Sequence, residues 1–74
     1  MKIRIDDGID DKLALQLILK VVQQGHISNG RNNKKRYCFA TVFNVPEYPD
    51  YEYIVYSNGN TKDDCFLVYK EKHK

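Results

Sequence analysis

Apolar and polar positions along this chain follow two different periods, and each change of period marks an element. Lys2-Ile3-Arg4-Ile5-Asp6 alternates, which is the period of a half-buried strand. Asp7-Gly8 breaks it. From Asp10 to Gln24, in DDKLALQLILKVVQQ, apolar residues recur at helical spacing, and no other stretch sustains that period. Advancing about 100° per residue, Leu13, Leu17, Val21, Ala14, Ile18, Val22, Leu15 and Leu19 fall in that order around an arc of about 240°. Only Lys12, Gln16, Lys20, Gln23 and Gln24 are left for water. Asp7 or Asp10 is placed to cap the helix, since a carboxylate there accepts backbone N–H bonds and opposes the positive end of the dipole. Gly25 is placed to close it with a left-handed cap.

A helix lying on a sheet needs an apolar stripe little more than about 100° wide, so a single sheet covers only about half of this one. Another surface is needed for the remainder. A self-complementary patch requires only one sequence, so a second copy of the same helix across a two-fold axis is the simplest cover. Leu15, Leu19 and Val22 are therefore expected to form an oligomer interface.

The strand period returns after the helix. Tyr37 to Val45, YCFATVFNV, is rich in aromatic and β-branched residues, and Tyr51 to Tyr56 and Cys65 to Tyr69 repeat that composition. Pro46 and Pro49 make the first connection a turn, because proline cannot donate to a ladder. Asn58-Gly59 begins the second. The spacing predicts an α+β domain of two layers, β-α-β-β-β, with one helix packed on a mainly antiparallel four-stranded sheet. A single domain over 1–74, a mobile basic loop over 29–36 and a frayed tail over 71–74 complete the expectation. The small even positions of the second strand, Cys38, Ala40 and Val42, suit contact with a bulky helix. That would turn Tyr37, Phe39 and Phe43 to the other face, left at least partly open.

Composition limits the alternatives. A domain of 74 residues buries only about 60% of its unfolded surface, so its stability is marginal without help. Cys38 and Cys65 both sit in apolar strand patterns, where a reduced thiol acts as a small buried hydrophobe. Met1 runs straight into the first strand, leaving no room for a secretion signal, and no apolar run approaches the ~20 residues of a membrane span. A cytoplasmic, membrane-free setting is the expectation. The net charge of +2 is small, but its distribution is uneven. Arg31, Lys34, Lys35 and Arg36 gather in one loop, whereas Glu47, Asp50, Glu52, Asp63 and Asp64 make the following stretch acidic.

Candidate chemistry is sparse. Among the titratable groups, His26 stands beside the helix end and His73 next to the chain end. No zinc spacing, phosphate-cradling glycine loop or nucleophile elbow is present. The four aspartates of DDGIDD lack the spacing of a calcium loop. No cofactor, metal or catalytic residue is expected. The strongest binding signal is Arg31, Lys34, Lys35 and Arg36 leading into Tyr37 and Phe39, because cations neutralise phosphates and aromatic faces stack on bases. Three functions follow. The first is a non-enzymatic oligomeric module that binds nucleic acid or a nucleotide-like anion. The second is a protein-binding modulator or inhibitor, like the accessory proteins that phages and mobile elements encode. The third is a ribonuclease toxin in which Arg and Lys residues such as Arg36 stabilise charge and His26 or a tyrosine acts on the 2′-hydroxyl.

Overall fold

The computed structural model describes residues 2–25, 37–59 and 64–73. Its elements are β1 (Lys2–Ile5), α1 (Asp11–Gln24), β2 (Phe39–Asn44), β3 (Tyr51–Ser57) and β4 (Cys65–Lys72). The strands form one sheet in the order β1-β4-β3-β2, with α1 packed on one face against β3 and β4. This is the two-layer α+β architecture that the sequence predicts. β2, β3 and β4 form an antiparallel meander, and β1 lies parallel to β4, with Ile3 beside Phe66 and Ile5 beside Val68.

Local chemistry sets the ends of α1. The Leu13 N–H donates to Asp10 Oδ2 at 3.2 Å, which makes Asp10 the cap. The Gly25 N–H donates to the Val21 carbonyl at 2.9 Å. Gly25 has φ 92° and ψ 165°, so the helix ends in an extended mirror conformation rather than in the expected left-handed cap, and only glycine enters that region without strain. Gly59 is required for a different reason. At φ 70° it lets the Phe39 ring approach so closely that an added Cβ would lie 2.5 Å from Cε2.

The helix buries Ala14, Leu17, Ile18 and Val21 against Tyr53, Val55, Phe66 and Val68. On the opposite face Tyr37, Ala40, Ile54 and Tyr56 form a second core, flanked by Val42, Cys65, Leu67 and Tyr69. The expected facing of β2 is therefore reversed. Phe43 packs into the helix-side core, while Ala40 and Val42 turn away from it. The reason is position: β2 is an edge strand, α1 lies over β3 and β4, and a bulky Phe43 reaches across the gap at the helix flank. The far face is also less open than expected, since Ile54 is fully buried there.

Two further expectations change. Cys38 is exposed just ahead of β2 rather than buried in it, and neither it nor Cys65 is in a disulfide. Glu71 and Lys72, expected to fray, pair with Glu52 and Tyr51, and the His73 N–H donates to the Asp50 carbonyl at 2.9 Å. The two-sided burial of β3 explains its continuous apolar run.

Leu17 is 2% exposed at the centre of the helix–sheet contact. Leu17→Ala is expected to lower unfolding stability by about 3 kcal/mol in urea titrations. A loss below about 1 kcal/mol would mean that this side chain does not seat the helix.

Candidate functional site

The two flanks of α1 differ. On one flank Leu13, Gln16, Leu17 and Lys20 face Phe43 through Glu47 across a cleft of about 190 Å³. The Lys20 ammonium lies 6.0 Å from the centre of the Phe43 ring. This flank therefore looks toward β2. The other flank looks toward the β1 edge and carries Leu15, Leu19 and Val22, which are 51%, 56% and 54% exposed. Their spacing of four and then three residues aligns them in one seam along the helix. Ile3, on the helix-side face of β1, is also exposed. A run of large aliphatic side chains in water on so small a domain is an uncommon surface feature.

The polar residues beside the seam matter as much as the apolar ones. Gln23 stands four residues after Leu19 and borders the seam toward its C-terminal end, while Gln16 lines the cleft toward β2. Lys12 stands seven residues before Leu19 and Asp11 four before Leu15, so a cation and an anion together continue the seam toward the N-terminus. The last turn of α1 carries no basic residue. Lys20, the remaining helix cation, is drawn over Phe43 on the opposite flank.

The expected ligand residues are differently placed. Arg31, Lys34, Lys35 and Arg36 lie outside the described residues, as does His26. Tyr37 is only 8% exposed, its ring 6.2 Å from that of Tyr56 and tilted 46° to it, within the second core. Phe39 is half-buried on the helix-side face against Gly59. These two rings therefore sit on different faces and form no common stacking platform. The α1–β2 cleft had no signal in the sequence, because it depends on which strand forms the sheet edge. The exposed seam had one, the excessive width of the apolar arc.

A third locality lies at the opposite end of the sheet from the start of β4. Lys70 Nζ donates to the Gly8 carbonyl at 3.2 Å and sits 4.6 Å from the centre of the Tyr51 ring, tying the turn before α1 to the sheet. Nearby, Tyr48 meets Tyr53 edge-on at 6.2 Å. Burial pushes the Tyr53 phenol above its ordinary pKa, and the neighbouring Tyr48 and Tyr51 add to the shift. Among the described residues, no three His, Cys, Asp or Glu side chains converge to hold a metal ion, and no helix is long and apolar enough to cross a membrane. Comparison with protein-family models, curated proteins and solved structures found no match.

The Tyr53 phenol gives stability a defined alkaline dependence. The folded chain holds this proton more tightly than the unfolded one, so its contribution is full below the ordinary value of 10.0 and is lost as pH rises through the higher folded value. Tyr53→Phe should flatten the fall in urea midpoint as pH rises above about 10. An equally steep fall in the variant would assign it to other groups.

Proposed function

We propose that this chain is a small, non-enzymatic binding module that acts by protein–protein contact, with the outer flank of α1 as its working surface. The observation that carries this reading is the exposure of Leu15, Leu19 and Val22 in one seam beside a helix face that is otherwise buried. Burying the exposed half of each of these side chains contributes about 1 kcal/mol, which suits them to the core of an interface. Gln23 contributes to a polar rim, as interfaces of this kind have. The module works in the cytoplasm, a setting with which the reduced Cys38 and Cys65 agree.

A photo-crosslinking residue tests this surface. Placed at position 19 in the chain expressed in its native cells, it is expected to yield a covalent adduct with another polypeptide. Placed at position 20, on the flank facing β2, it should not. Absence of an adduct at 19, or equal yields at the two positions, would overturn the reading.

A further inference from the structure

Resting on that reading, we infer that this side of the module takes up an extended strand of another protein, added to the sheet beside β1 and alternating acidic with apolar residues. The backbone provides for it. β1 ends the sheet, and among the described residues no strand lies beyond it. The Lys2 N–H donates to the Asp64 carbonyl at 2.7 Å and the Asp6 N–H to the Val68 carbonyl at 3.0 Å. Backbone groups alternate sides along a strand, so those of Ile3 and Ile5 point outward from the sheet edge, where an incoming strand pairs with them. Such a strand would lie about 4.8 Å from β1.

The side chains define what that strand must carry. Ile5 packs into the helix-side core, so Ile3 shares its face and Lys2 and Arg4 occupy the reverse one. Beside these two on β4 stand Cys65 and Leu67, which carry no charge, so neither cation is neutralised across the sheet. Glutamate or aspartate on an added strand would supply the missing partners. Asp6, Asp7, Asp10 and Asp11 follow β1 in the turn and at the start of α1, which confines the acidic residues to the span beside Lys2 and Arg4. The other face of the added strand would lie next to the exposed Ile3 and beneath the outer flank of α1, where Leu15 and Val22 stand in water. Apolar side chains on that face would cover all three. A second copy of β1 fits poorly here, because its own reverse face carries cations.

Two peptides of about six residues, blocked at both ends, test this: one alternates valine with glutamate and the other valine with lysine. Hydrogen exchange followed by NMR is the readout. With the glutamate peptide the amides of Ile3 and Ile5 should slow roughly tenfold, and by more than those of Lys2 and Arg4, which already turn toward β4. Replacing both cations, Lys2→Glu with Arg4→Glu, should weaken binding of the glutamate peptide roughly tenfold and strengthen that of the lysine peptide by a similar factor. Both side chains are exposed, so the variant keeps its fold.

Unchanged exchange at Ile3 and Ile5, or equal affinity for the two peptides, would overturn strand addition. Slowing of the same amides with rising protein concentration and no peptide would overturn it too, by assigning the edge to a second copy. The photo-adduct at position 19 then decides the docking reading separately. If it persists, the flank of α1 remains a docking surface without an added strand; if it is absent, both are lost.

Discussion

Close packing of α1 on the two central strands is the contact on which the other surfaces of this molecule depend. Ala14 and Val21 are completely buried, and with Leu17 and Ile18 they face Val55, Phe66 and Val68. A small residue at position 14 lets the helix approach the sheet, and the β-branched residues beneath fill the interface with little rotamer freedom to lose. Once that stripe is seated, the direction of every other side chain on the helix is fixed by the 3.6-residue repeat. Lys20 must then face β2, and Leu15, Leu19 and Val22 must face away from the sheet.

The sheet has a second dependency. With α1 over β3 and β4, the edge strand β2 is only partly covered, and Phe43 and Val45 close the helix-side core from below. Ile54 and Ala40 are buried on the reverse face, so β3 is sealed on both sides while the helix is sealed on one. The unevenness comes from number: four strands share two cores, but one helix has only one sheet to lie on. Thr41 is the local cost of this arrangement, its buried Oγ1 having no hydrogen-bond partner.

What the sequence revealed follows the same physics. The helix was legible because its period is sustained over four turns and both ends carry capping residues, Asp10 and Gly25. The excess width of its apolar arc also pointed to Leu15, Leu19 and Val22, because an angular count needs no tertiary information. The facing of β2 was not legible. Alternation shows that Ala40 and Val42 share a face, but not which face, and the size argument failed because it assumed a strand beneath the helix rather than at the edge. The parallel pairing of β1 with β4 was hidden for a similar reason, since it joins strands about sixty residues apart. Cys38 and Tyr37 looked like strand residues, yet β2 begins at Phe39, which freed Cys38 to solvent and Tyr37 to fold under Tyr56.

The β1 edge and the α1 seam lie side by side, and their chemistry is opposite. β1 is four residues long and carries Lys2 and Arg4 on one face. If two copies joined through this edge in antiparallel register about Ile3, Lys2 would lie opposite Arg4 of the other copy, setting cation against cation. Charged residues on a short edge strand discourage this kind of sheet extension. The neighbouring helix flank has no such barrier between Leu15 and its C-cap, where the exposed residues are aliphatic or amide apart from Lys20 on the other flank. Contact between two copies through this edge is therefore disfavoured, whereas a strand of opposite charge entering beside β1 meets the aliphatic flank of α1 with its other face.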